Sequence, residues 1–293
     1  MKLNRIILSS LVCAVTLGLA SLTASAATIQ SGESIVFLGD SITRNGWNHS
    51  DGYIRMCEVA FKWNKLDVQL YPAGIGGHKS PDMLARLEKD VLSKKPTWMT
   101  LSCGVNDVWH QFYNPSNGVL LPDYKKNMTE IVDRAQAVGI KVIIMAATMI
   151  SEEATDKKNQ TLVPYNEFLR ELAKEKGCPF IDLNTEMQKC VADFRAKTGS
   201  KSNFMTADGV HVNFHGNRMM ALMLLKDGFG FTQEELDLAE RAIVNDIYVE
   251  VRGDFKATVK GGDYMNLSER AVENKKSPTD YLRGEFEKAV RGK

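Results

Sequence analysis

Ser41 lies in the segment Gly39-Asp40-Ser41-Ile42-Thr43, and Asp208 and His211 stand three residues apart in Asp208-Gly209-Val210-His211-Val212-Asn213. A serine hydroxyl is a weak nucleophile at neutral pH and needs an adjacent base. An Asp and a His at this spacing, on a loop turn or a first helical turn, can set a carboxylate against one imidazole nitrogen. That contact fixes the tautomer and stabilises the cation formed when the other nitrogen takes a proton. Two further segments offer hydrogen-bond donors. Pro72-Ala73-Gly74-Ile75-Gly76-Gly77 has three glycines in four positions, so its backbone can approach a ligand and present N–H groups. Gly104-Val105-Asn106-Asp107 adds a side-chain amide. Taken singly, these segments read equally as an N-cap serine, a tight turn and a common Asp-x-x-His. Jointly they supply a nucleophile, two types of oxyanion donor, a base and its orienter.

Residues so far apart must be gathered by the fold. Short apolar runs at 34–39, 67–71, 97–103, 140–148 and 179–183 read as strands, and near-continuous apolar runs suit strands buried on both faces. Between them lie helical periods. Tyr53, Met56, Ala60 and Trp63 share one face, as do Met83, Leu84, Leu87 and Val91. Segments 125–138 and 165–176 make two more helices, closed by Gly139 and Gly177. The alternation predicts a three-layer α/β/α sandwich around a central parallel sheet of about five strands. Ligands in such folds sit at the carboxyl ends of the strands, where three of the four segments fall.

Together the segments GDSIT at 39–43, the glycine loop ending at Gly77, GVND at 104–107 and DGVH at 208–211 resemble the SGNH hydrolases, the GDSL esterases and lipases, and their carbohydrate-esterase-like branch. The resemblance spans roughly residues 33 to 225. It implies Ser41 as nucleophile, His211 as general base and then acid, and Asp208 as its orienter. It also implies an oxyanion hole made by the N–H groups of Ser41 and Gly77 and the side chain of Asn106. In one place the chain departs from the family: its glycine block often begins with Asn, where this chain has Pro72.

Composition narrows the class without naming it. The 37 Lys and Arg nearly balance 36 Asp and Glu, which leaves no basic footprint for nucleic acid. Lys2 and Arg5, the apolar stretch 6–20 and Ala24-Ser25-Ala26 follow the layout of a secretory signal peptide cleaved after Ala26. The expected organisation is therefore a signal peptide at 1–26, a catalytic domain at 27–231, and a helical, charged extension at 232–293 packed on the same domain. Loss of Lys2 and Arg5 turns the net charge of +1 into −1. No later run approaches the length of a membrane span. Cys57, Cys103, Cys178 and Cys190 are too sparse for a disulfide scaffold, although an oxidising compartment permits a 178–190 bridge.

His49, His78, His110 and His215 form no metal-binding spacing, so no metal or other cofactor is expected. His78 and His110 either line a substrate pocket or are polar loop residues. Trp47, Trp109 and Tyr113 fall near the expected cleft, placed to stack on a sugar or to pack beneath a loop. Asp40 and Asp107 read as acceptors that fix loops, with Asp40 also a candidate substrate contact. The expected activity is a secreted or periplasmic serine esterase removing short acyl groups, acetyl foremost, from a small-molecule or polysaccharide ester. A lysophospholipase or thioesterase with the same residues, and a non-catalytic glycan-binding protein on this scaffold, are the alternatives.

Overall fold

A computed structural model describes residues 28–252 and 256–291, so the expected signal segment lies outside the described residues. Strands β1 (Ser34–Gly39), β2 (Gln69–Gly74), β3 (Trp98–Ser102), β4 (Lys141–Met145) and β5 (Phe180–Ile181) form one parallel sheet in the order β2-β1-β3-β4-β5. The helices of this part are α1 (Ser41–Asn48), α2 (Tyr53–Trp63), α3 (Ser80–Asp90), α4 (Val105–Trp109), α5 (Leu121–Ala137), α6 (Lys157–Lys176), α7 (Leu183–Thr198) and α8 (Phe214–Met223). Helices α3, α5 and α6 pack in succession on one face of the sheet, with α2 and α8 on the other. Every residue of β3 is buried, as are Ile35 to Leu38 of β1. Covering on both faces explains why these strands show no polar alternation.

The expected α/β/α sandwich with five parallel strands is what the chain forms. The second strand begins later than its apolar pattern suggested and runs through Pro72 to Gly74. There the register with β1 continues unbroken, Phe37 opposite Pro72 and Gly39 opposite Gly74. Because β2 is an edge strand, the missing N–H of Pro72 interrupts no ladder on its outer side.

Chain order reverses at β1, which lies between β2 and β3. In an open parallel sheet this reversal opens a crevice at the carboxyl ends of the strands. Ser41 follows β1, Gly77 follows β2 and Asn106 follows β3, so the crevice collects all three.

Beyond α8 come α9 (Gln233–Asp246), an antiparallel hairpin of β6 (Tyr248–Arg252) and β7 (Lys256–Lys260), then α10 (Gly261–Glu273) and α11 (Pro278–Arg291). Thr232 caps α9 in a reciprocal box with Glu235. The strand pair departs from the helical, charged extension expected at 232–293. Cys57, Cys103 and Cys178 are free thiols, so the permitted 178–190 bridge is not made.

Candidate active site

Ser41 is the first residue of α1, and Asp40 caps that helix by accepting the Ile42 N–H at 2.8 Å. A first-turn N–H has no partner within its own helix, so the cap leaves the Ser41 N–H beside its own hydroxyl. Close approach of this turn to β1 requires Gly39, where a Cβ would stand 2.0 Å from the Thr43 hydroxyl. Arg86 ties the strand ends together, donating to the carbonyls of Ala73 at 2.9 Å and Gly39 at 2.8 Å.

Asp208 and His211 ride on a tight loop between Thr206 and Val212, which pair as an antiparallel bridge. Asp208 Oδ1 accepts the backbone N–H groups of Val210 at 3.0 Å and His211 at 2.8 Å. Its Oδ2 meets His211 Nδ1 at 2.7 Å, and His211 Nε2 meets the Ser41 hydroxyl at 2.9 Å. Three side chains separated by up to 170 positions thus form one hydrogen-bonded chain. Partial burial works against the charge on Asp208. The bonds from the His211 ring and the two backbone N–H groups outweigh it and hold the carboxyl below its ordinary pKa. Asp208 is therefore a carboxylate at neutral pH, which orients the ring with Nδ1 as donor and leaves Nε2 to accept from Ser41.

Gly77 has φ +78°, a conformation that disfavours any side chain, and a Cβ there would meet nothing within 4 Å. The need for glycine is conformational rather than steric. Asn106 donates one amide hydrogen to the His78 carbonyl at 3.0 Å, which pins the glycine loop to the end of β3. An amide has two hydrogens, and the second remains for a ligand. Asp107, fully buried, accepts the N–H and hydroxyl of Ser80 at 2.9 and 2.7 Å and so seats the start of α3.

The structure brings Ser41, His211 and Asp208 into contact and sets Asn106 on the glycine loop. Asp40 is only 2 % exposed and is engaged in capping α1, so it does not serve as the expected substrate contact. His78 contributes its carbonyl to Asn106, while burial, with Arg86 nearby, lowers the pKa of its ring. His110 is likewise lowered by burial and Lys79. Trp109 is half-buried, with the well-exposed Tyr113 ring 5.7 Å away. The Trp47 ring is covered by the Arg55 guanidinium at 3.6 Å.

Burial also raises the Asp40 pKa to about 6, against the Ile42 bond and with the Asp107 charge adding to it. A folded-state value above the unfolded 3.8 means that the native state holds this proton more tightly. Stability from it is complete below pH 3.8 and is lost as pH rises through about 6, roughly 3 kcal/mol in all. Asn at this position keeps the acceptor for Ile42. Asp40→Asn is expected to raise the melting temperature at pH 7 to 8 and to change it little near pH 4. An equal gain at both pH values would contradict the assignment.

Glu152 lies outside every motif of the sequence. Its buried carboxylate accepts the N–H groups of Phe204, Met205 and Thr206 at 2.7, 2.7 and 2.6 Å, and the Thr206 hydroxyl at 2.7 Å. Next to it, Ser151 N–H donates to the Gly209 carbonyl at 2.6 Å. Asn159 in turn holds the carbonyls of Ser151 and Glu153. This segment after β4 clamps the loop that carries Asp208 and His211. Its position at a strand's carboxyl end was the only available signal.

Residues 37–219 match the family described as GDSL-like lipase/acylhydrolase. The chain belongs to that family. This acylhydrolase, a carboxylic ester hydrolase, is 25% identical over 214 residues to an acetylxylan esterase from Geobacillus stearothermophilus, covering 68% of this chain and 95% of that one. It is 26% identical over 219 residues to the isoamyl acetate-hydrolyzing esterase 1 homolog of Mus musculus, covering 65% and 79%. The crystal structure of the acetyl xylan esterase AlAXEase superposes with a TM-score of 0.59 at 31% identity, covering 65% of this chain and 97% of that one. Structures of the Geobacillus enzyme include catalytic mutants in which a serine is replaced, and others replacing an aspartate and a histidine three positions apart. Among the described residues of this acylhydrolase, no group of three or more His, Cys, Asp or Glu could hold a metal ion, and no helix is long and apolar enough to cross a membrane.

Proposed function

We propose that the protein is an exported serine esterase that removes acetyl groups from a carbohydrate through an acyl-enzyme on Ser41. The observation carrying this reading is the bonded chain Asp208–His211–Ser41 at the carboxyl edge of the sheet. The acetylxylan esterase relatives, with a serine, an aspartate and a histidine replaced in their catalytic mutants, support both the residues and the acetyl group. The signal-like segment 1–26 supports export.

In this mechanism His211 Nε2 takes the Ser41 proton as Oγ attacks the ester carbonyl. Asp208 stabilises the imidazolium that results. The tetrahedral oxygen is held by the N–H groups of Ser41 and Gly77 and the free amide hydrogen of Asn106. Each such donor is worth about 2.7–4 kcal/mol in the barrier. His211 then protonates the sugar oxygen as it leaves, and the acetyl group stays on Ser41. Water deprotonated by His211 attacks the acetyl-enzyme, acetate departs, and the proton returns to Ser41.

The test is release of acetate from a panel of acetylated polysaccharides and sialic acids, together with p-nitrophenyl esters of rising chain length. Release from at least one polysaccharide and higher activity on acetate than octanoate are expected. Preference for octanoate would replace this reading with a lysophospholipase or thioesterase.

A further inference from the structure

A cavity of about 810 Å³ adjoins the site, and His211 forms part of its wall. Its other walls come from two sources. Asn48 at the end of α1 and Asn203 in the triad-bearing segment belong to the part of the chain that matches the family. Glu250, Tyr264, Thr279 and Asp280 belong to the hairpin, α10 and α11, all beyond residue 219. The extension is fixed to both rims. Ser50 donates to the Tyr248 carbonyl at 2.7 Å, and Ser202 donates to Asp280 at 2.8 Å. Tyr264 packs edge-on against Phe214, three residues past His211, with ring centroids 5.2 Å apart.

The size falls within the roughly 300–1,000 Å³ of ordinary small-molecule sites. The lining differs from an acyl pocket. Amides, hydroxyls and carboxylates dominate it, offering paired donors and acceptors of the kind that vicinal sugar hydroxyls match. A long acyl chain would cover these polar side chains while offering none of them a hydrogen bond. Its lining holds Asp51, Glu250 and Asp280 against Lys201, and Asp280 pairs with Arg283 at 3.6 Å, so the wall offers an anionic ligand no excess of positive charge.

We infer that this cavity binds a neutral oligosaccharide chain, holding the sugar units that flank the esterified one beside His211. The inference rests on the carbohydrate part of the proposed function and adds that the extension supplies the glycan subsite.

Thr279 and Asn48 are exposed, so Thr279→Trp, which narrows the cavity, and Asn48→Ala, which removes an amide, are both compatible with folding. Xylohexaose without acetyl groups, titrated calorimetrically into the full chain, is expected to bind. Each variant is expected to weaken that binding, Thr279→Trp by tenfold or more, and hexagalacturonate is expected to bind at least tenfold more weakly than xylohexaose. The ratio of kcat/KM on acetylated xylohexaose to that on p-nitrophenyl acetate is expected to fall at least tenfold in Thr279→Trp. Binding that neither variant alters, or equal affinity for hexagalacturonate, would overturn the inference. Absence of xylohexaose binding in a protein that hydrolyses p-nitrophenyl acetate would overturn it and leave the esterase standing. Xylohexaose binding that is lost in Thr279→Trp, in a protein that hydrolyses no ester, would support the subsite and sink the proposed function.

Discussion

Ser41→Ala is expected to lower kcat on a short acyl ester by roughly ten-thousand-fold or more, with the melting temperature little changed. Among the described residues the hydroxyl bonds only to His211 Nε2, so its removal leaves the packing of α1 intact. What remains is the stabilisation offered by the oxyanion donors and by substrate binding. Because Ser41, His211 and Asp208 act as a unit, His211→Ala added to Ser41→Ala is expected to cost little more. Initial rates and thermal melts of the single and double variants check both statements. Retained hydrolysis in Ser41→Ala would move the nucleophile elsewhere, whereas no hydrolysis in the unmodified protein would return the chain to the glycan-binding alternative.

Glu152→Ala is expected to have the largest effect on stability. It strips acceptors from three consecutive backbone N–H groups and a hydroxyl, all buried. Each buried donor left without an acceptor typically costs about 1–3 kcal/mol, so the fall is expected to be on the order of 10 °C in melting temperature. The clamp also positions His211 through the loop from Thr206 to Val212. A loosened loop misplaces the base, so kcat is expected to fall roughly tenfold to a hundredfold with KM nearly unchanged. Glu152→Gln keeps the oxygen that serves Met205 and Thr206 but sets an amide against the Phe204 N–H. It is expected to recover most of the stability and much of the kcat. A lower melting temperature with unaltered kcat in the folded protein would reduce Glu152 to a purely structural part.

The contrast between Ser41 and Glu152 shows what the sequence makes legible. Ser41, Asn106, Asp208 and His211 could be read because their chemistry demands particular atoms, and strands of continuous apolar residues place such atoms at their carboxyl ends. Glu152 serves backbone groups of Phe204, Met205 and Thr206, which any residues there would present, so no side-chain pattern announces it. Pro72 read as a loop residue because proline lacks a donor, and only the edge position of β2 makes it acceptable in a strand. Pro164 likewise hid the first turns of α6, which start at Lys157 under an Asp156 cap. The pairing of β6 with β7 joins two charged segments, and its role in the cavity depends on tertiary contacts that no local pattern carries.

The most direct test of the central claim is covalent labelling with a fluorophosphonate, read by intact mass and peptide mapping. One adduct per chain is expected, on Ser41, formed rapidly in the unmodified protein and far more slowly in His211→Ala. An adduct on another residue, or ester hydrolysis that continues while Ser41 stays unlabelled, would contradict it.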